Sequence, residues 1–305
     1  MQDGHRSVEM PMTTNWVDKF LQEKPLGSLE KDFRKGLGVF LPEARKLPSY
    51  RTDPALMERT QKVGTDFVTQ TDRLMQQNLK SALLKDEDPT HYGFWGEEAP
   101  DNEINWQSYD RVWVSDPIEG TINYSGQRGN KDGQWGSVLG LVDSKTNTPL
   151  IGFVIDPITK ELFFAIKGKG AYKVTLNQDW TNGELNQMSS QDIKLEQATI
   201  TFNRSPHFSP ELFAQSENFE AQLKAKGVNA IDPESGALEV VRHDGTVYFK
   251  TSNEMAAAML FIDELGGKAT DFEGNGWKPG IHSLIASHSP KIYEQLKSTI
   301  DQLAA

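Results

Sequence analysis

Apolar positions recur along this chain in two rhythms, and each rhythm predicts a different kind of element. Over residues 14–46 Trp16, Phe20, Phe33, Leu37, Phe40 and Leu41 fall at helical spacing. A polar loop holding Pro48 and Pro54 is expected over 47–66. Val68-Thr69-Gln70-Thr71-Asp72 then leads into a predicted helix, with Thr71 as its cap and Met75, Leu79, Ala82 and Leu83 on one face. Between 137 and 173 the pattern changes to short apolar runs at 137–142, 149–155 and 161–166, the signature of an antiparallel meander. Lys167-Gly168-Lys169-Gly170 is the turn into a further run at 171–174, since the helix and Ser/Thr that follow a phosphate-binding Gly-Lys loop are missing. The polar stretch 175–193 reads as a lobe boundary. Beyond it come a strand at 198–202, helices near 209–226 and 235–243, and a strand at 246–250. A helix at 254–265, a strand at 284–287 and a terminal helix at 290–303 complete the chain. The order predicts α+β followed by α/β, with a disordered tail over 1–13 and lobes over 14–185 and 186–305.

Composition narrows the function classes. With 305 residues, 37% of them hydrophobic and 25% charged, the chain can bury a full core. Its formal net charge of −11 argues against a general nucleic-acid surface, so an anionic substrate would need positive charge supplied locally. The absence of cysteine excludes disulfides, Cys-ligated zinc and a thiol nucleophile. No apolar run approaches the roughly 20 residues of a membrane-spanning helix. The opening residues carry no apolar signal core, which makes the cytoplasm the expected compartment.

The chemistry concentrates in Trp113-Val114-Ser115-Asp116-Pro117-Ile118-Glu119-Gly120-Thr121. A strand-like run ends in two carboxylates three residues apart, on a Pro- and Gly-bounded turn. Carboxylates this close repel each other unless a cation lies between them. Carboxylates and a free carbonyl are the oxygen donors that Mg²⁺ prefers, and the Gly-Thr step adds backbone N–H groups suited to a phosphate. Further acids stand in Gly96-Glu97-Glu98, in Asn253-Glu254-Met255-Ala256-Ala257-Ala258, and at Asp72. Each has a plain structural reading alone: a solvated acidic turn, a first-turn Glu behind an Asn253 cap, and a helix cap. Gly266 suits the C-terminus of the apolar helix that Glu254 opens.

Taken in this order, the motifs resemble the inositol monophosphatase superfamily, which includes inositol and sugar monophosphatases, fructose-bisphosphatases and bisphosphate nucleotidases. The resemblance runs from about residue 60 to the C-terminus and is most specific in Asp116-Pro117-Ile118-x-Gly120-Thr121. It implies a layered αβαβα sandwich of two lobes with the site between them. It also implies a Mg²⁺-dependent phosphomonoesterase using two or three ions, and a homodimer as the common assembly. Glu97, Asp116, the Ile118 carbonyl, Glu119 and Glu254 fall on metal-ligand positions. Asp72, Glu97 and Thr121 fall on catalytic ones, and Gly120 and Thr121 on phosphate-binding ones. Three positions depart from the family pattern: Glu119 and Glu254 replace Asp, and Asn253, beside Glu254, replaces Trp. Each Glu adds a methylene, a reach of roughly 1.5 Å, and the strict geometry of Mg²⁺ makes Mn²⁺ the expected beneficiary.

For the substrate, Ile122-Asn123-Tyr124 resembles the inositol and sugar branch, while the basic loop 125–133 and Lys250 resemble the nucleotidase branch. Arg128, Lys131 and Lys250 are therefore the candidate contacts to a second anionic group, and a 3′-phosphoadenosine 5′-phosphate-type nucleotidase is the alternative function. A homologue that binds phosphate ligands but has lost turnover is the further alternative.

Overall fold

The structure is a computed structural model that describes residues 15–62, 67–126, 134–191, 193–204, 208–232 and 236–304. The predicted tail and the substrate candidates Arg128 and Lys131 lie outside the described residues. Helices α1 (Asn15–Glu23) and α2 (Glu30–Tyr50) open the chain, followed by the two-stranded sheet of β1 (Arg59–Gln61) and β2 (Phe67–Thr69) and by α3 (Gln70–Leu84). Strands β3 (Tyr92–Gly96) and β4 (Arg111–Glu119) pair in parallel. After the short helix α4 (Thr121–Tyr124), β5 (Gly136–Asp143), β6 (Thr148–Asp156), β7 (Glu161–Ile166), β8 (Gly170–Leu176) and β9 (Gly183–Gln187) extend the sheet antiparallel in chain order.

A second sheet follows, built from β10 (Thr199–Phe202), β11 (Asn229–Ile231), β12 (Gly245–Tyr248), β13 (Lys268–Thr270) and β14 (Leu284–Ser287) in the order β11-β10-β12-β14-β13. Its helices are α5 (Pro210–Ala225), α6 (Gly236–Arg242), α7 (Ala256–Glu264) and α8 (Pro290–Ala304).

Alternation along the strands explains the layering. On β4, Trp113 faces α1–α3 together with Phe20, Phe33, Phe40, Phe153 and Phe164. Its neighbours Val112 and Val114 face α6 and α7 with Val138, Leu238 and Leu260. On the second sheet, Tyr248, Leu284 and Ala286 face that same helical layer, whereas Ile200, Phe202, Val247 and Ile285 face α5 and α8. The result is the αβαβα sandwich expected. Strands covered on both faces read as continuous apolar runs, so the meander was legible in the sequence.

The local differences have local causes. Helix α2 continues through Pro42 and Pro48 to Tyr50, where a loop from 47 was expected. A helix-interior proline costs about 3 kcal/mol. Burial of Phe33, Leu37, Phe40, Leu41 and Leu47, at about 1.5–3 kcal/mol each, outweighs that cost. The cap of α3 is Thr69 and not Thr71: its hydroxyl accepts from the Asp72 N–H while Asp72 accepts from the Thr69 N–H, a reciprocal capping box. The carboxylates of the central motif end β4 rather than a turn, with a register shift between Asp116 and Glu119. Short polar strands β1, β9, β11 and β13 were not foreseen.

One glycine sets the distance between α7 and the sheet. A Cβ on Gly152 would come within 2.6 Å of the Ala257 carbonyl oxygen, so α7 lies directly on β6. The Glu264 carboxylate at the end of α7 accepts from Gly168 N–H (2.7 Å) and Gly170 N–H (2.8 Å), tying the β7–β8 turn to the same helix. Among the described residues no helix is long and apolar enough to cross a membrane. Gly152→Ala is expected to lower stability by about 1–3 kcal/mol through overpacking against backbone, read as a drop in urea midpoint with unchanged slope.

Candidate active site

Three segments bring acids to one place. The end of β4 carries Asp116 and Glu119, the turn after β3 carries Glu97, and a 3₁₀ turn Asn253–Met255 before α7 carries Glu254. Asp116, Glu119 and Glu254 are all buried, and so is Asp72 in the first turn of α3. Burial pushes the Asp116 carboxyl well above its ordinary range, and the charges of Glu97, Glu119, Glu254 and Asp72 push it further. Glu119 is raised by burial and by Glu254, and Glu254 is pushed up to about 7 by burial and Glu97. The predicted acids therefore share one electrostatic field.

The local backbone aims them. Ile118 N–H donates to Asp116 Oδ1 at 3.0 Å, which closes a tight loop across Pro117 and fixes that carboxylate. Gly120 follows with φ +79°, a left-handed conformation that starts α4 at Thr121. The Thr121 hydroxyl lies 3.0 Å from the Ile118 carbonyl oxygen and 3.4 Å from Asp72 Oδ1. Asp72 Oδ2 is held by the N–H (2.9 Å) and hydroxyl (2.5 Å) of Thr69, leaving Oδ1 toward Thr121. Burial pushes Asp72 up to about 6, with Thr69 opposing that rise.

Two residues of this region escaped the sequence reading. Gln76 of α3 clamps the Gly-Glu-Glu turn: its side-chain amide donates to the Glu98 carbonyl (2.7 Å) and accepts from the Glu98 N–H (2.9 Å). A Cβ at Gly96 would overlap that amide at 2.3 Å, so a larger residue there would displace the Gln76 clamp. Lys62 sits inside the predicted loop and reaches Glu98 Oε1 at 2.6 Å and Glu97 Oε1 at 3.1 Å. Burial alone would lower its pKa, but the two carboxylates raise it. Glu98 is itself pushed up to about 8 by burial and by Glu97, against the pull of Lys62. The signal for Gln76 was only its place one residue after Met75 on α3. Lys62 had none beyond being a cation ten residues before Asp72.

Around Glu254 the expected Asn253 cap is not made. Asn253 Oδ1 instead accepts from Gly280 N–H at 2.8 Å, and its carbonyl accepts from the Trp277 indole at 3.0 Å. Gly266, at φ +77°, does end α7 as expected. Lys250 is exposed two residues beyond β12, and its carbonyl accepts from the Asn203 amide at 2.6 Å. Arg204, next to Asn203, pairs with Glu220 at 2.9 Å and Asp232 at 3.7 Å.

The donor set suits a hard divalent cation: buried carboxylates that repel one another, with Glu254 Oε2 buried and without a hydrogen-bond partner among the described residues. Among the described residues no three His, Asp or Glu side chains stand as a ready-made cage. Glu97 is turned toward Lys62, and Glu119 Oε2 accepts from Ala237 N–H at 2.6 Å.

These raised pKa values fix a direction for pH dependence. Asp72, Glu98 and Glu254 bind protons more tightly when folded than at their ordinary 3.8 or 4.5. Their contribution is thus complete at low pH and is lost as pH rises from about 4 to about 8. In EDTA, wild-type protein should lose melting temperature across that window. Asp116→Asn, which removes the most crowded charge, should melt higher and with a shallower pH slope. A variant that melts lower than wild type at pH 7.5 in EDTA would contradict the mutual repulsion.

Comparison with known proteins bears on the family and the fold. The model of the inositol monophosphatase family matches residues 44–305. The chain is 28% identical to the inositol-1-monophosphatase of Rhizobium meliloti over 239 residues, covering 78% of this chain and 84% of that protein. It is 27% identical to the Nus factor SuhB of Pseudomonas aeruginosa over 249 residues, with 79% and 84% covered. Among solved structures, the suhB protein of Bartonella henselae superposes with a TM-score of 0.70 at 23% identity, over 86% of this chain and 95% of that one. By sequence over most of its length, and by fold, the chain belongs to the inositol monophosphatase family.

Proposed function

We propose that the chain hydrolyses a small soluble phosphate monoester (an inositol, sugar or nucleoside phosphate) with the help of Mg²⁺ or Mn²⁺. Glu97, Asp116, the Ile118 carbonyl and Glu254 would hold the ions, with Glu119 the remaining candidate from the sequence. Bound there, divalent ions neutralise the phosphate dianion and make water acidic enough to serve as a nucleophile at neutral pH. The chain's own part is orientation and proton handling. Thr69 locks Asp72 so that Oδ1 faces the Thr121 hydroxyl. A water that donates to Thr121 Oγ1 is thereby aligned, and its proton passes through that hydroxyl to Asp72 Oδ1. With a pKa near 6, Asp72 is mostly ionised at neutral pH yet basic enough to take that proton. The N–H groups of Gly120 and Thr121, at the left-handed turn, would hold the phosphoryl oxygens.

The reading is supported by burial and by the charges of Glu97, Glu119, Glu254 and Asp72, which together push the Asp116 carboxyl well above its ordinary range. It is tested by phosphate release from a panel of inositol monophosphates, sugar phosphates, fructose 1,6-bisphosphate and 3′-phosphoadenosine 5′-phosphate, without added metal and with Mg²⁺ or Mn²⁺. Release that needs the ion, and that falls at least about 10²-fold in Thr121→Ala, is the expected result. No release from any ester under either ion would refute it and favour a phosphate-binding homologue without turnover.

One observation favours a bisphosphate. Lys250 is exposed and makes no ion pair among the described residues, so its ammonium is available to a second anionic group. Lys250→Glu should raise KM for a bisphosphate at least about 10-fold while shifting a monophosphate much less. Equal shifts would remove the bisphosphate reading.

A further inference from the structure

We infer that Glu119 is a positioning residue that holds the N-terminus of α6 to β4, and that it is not a resident ligand of the ions. This deepens the reading above, and rests on it wherever ion binding is concerned.

Four observations meet at this side chain. Its Oε2 accepts from Ala237 N–H at 2.6 Å, a hydrogen bond between residues 118 apart in the chain. The Leu238 N–H also faces the same carboxylate and favours its charged form. Its Oε1 lies 2.7 Å from where a Cβ on Gly236 would stand, with Met255 Cε at 2.8 Å, so the first residue of α6 is a glycine that leaves room for the carboxylate. The Gly236 carbonyl is meanwhile pinned by the Tyr248 hydroxyl at 2.8 Å. Glu119 itself is buried, and a buried carboxylate against the amides opening a helix is both satisfied and favoured by the helix dipole.

Side-chain length decides between the two roles. An Asp at this position would fall short of the α6 amides by roughly one methylene, about 1.5 Å. The Glu found here extends past that point, across the layer boundary, to a helix of the C-terminal half. The longer residue at 119 and the glycine at 236 are thus two parts of one contact. The ions are left to Glu97, Asp116, Glu254 and the Ile118 carbonyl, a cage one carboxylate smaller than the family pattern implies.

The test uses the full chain, melting in EDTA and equilibrium Mn²⁺ binding followed by electron paramagnetic resonance. Glu119→Gln keeps an acceptor for Ala237, so its melting temperature in EDTA should equal or exceed that of wild type. Its Mn²⁺ stoichiometry should be unchanged and its dissociation constant within about 3-fold. Glu119→Ala should melt lower than wild type in EDTA, because the α6 amides lose their partner. Gly236→Ala should lower the wild-type melting temperature more than it lowers that of Glu119→Ala, since the clash needs the carboxylate. Loss of a bound ion or a 10-fold weaker Mn²⁺ in Glu119→Gln would overturn the inference. So would a higher melting temperature of Glu119→Ala in EDTA, the signature of relieved repulsion alone. The EDTA measurements stand even if no ester is hydrolysed, so failure of the phosphatase reading and failure of this one are separable.

Discussion

Like charges buried together are the constraint on which the rest of this structure depends. Asp116, Glu119 and Glu254 arrive from two strands-and-helix layers into a space too dry to screen them. In such a space a carboxylate has three outlets: take a proton, find a hydrogen-bond donor, or share a cation. The chain shows the first two side by side. Asp72 is satisfied by Thr69, and Glu119 by the amides of α6. Asp116 and Glu254, and Glu119 despite those amides, are pushed toward protonation. What is left over, above all a Glu254 Oε2 with no hydrogen-bond partner among the described residues, is the demand that a divalent ion would meet.

The scaffold holds these groups in place against their repulsion. Trp113 and the Val112–Val114 pair, on opposite faces of β4, anchor the strand between two apolar layers immediately before the acids begin. Gly152 allows α7 to lie on the sheet, which brings Glu254, three residues before Ala257, against the end of β4. Gln76 fixes the turn that carries Glu97. The stability lost at the site is supplied by a core that surrounds it, as is usual where function requires strained or repelling groups.

Much of this was legible in the sequence, for physical reasons that differ by element. The meander β5–β7 could be read because its strands are covered on both faces and must be apolar throughout. The ligand-like motifs could be read because short spacing and a left-handed Gly120 leave few alternatives for Asp116 and Thr121. The path of α2 through Pro42 and Pro48 could not, since tertiary burial overrode a local breaker. Strands β1, β9, β11 and β13 are short and largely polar at the edges of their sheets, with little pattern to betray them. Lys62, Gln76 and the direction of Glu119 were hidden for a common reason: each is defined by a partner far along the chain. Local spacing says which carboxylates are near one another in sequence, not which amide or ammonium each will meet.

The central claim is that the field centred on Asp116 is a seat for divalent ions. It is tested most directly by anomalous diffraction from a crystal of the protein soaked in Mn²⁺. A peak bounded by Glu97, Asp116, Glu254 and the Ile118 carbonyl is the result this account predicts. Well-ordered side chains at those positions with no peak between them, under Mn²⁺ high enough to support turnover, would contradict it.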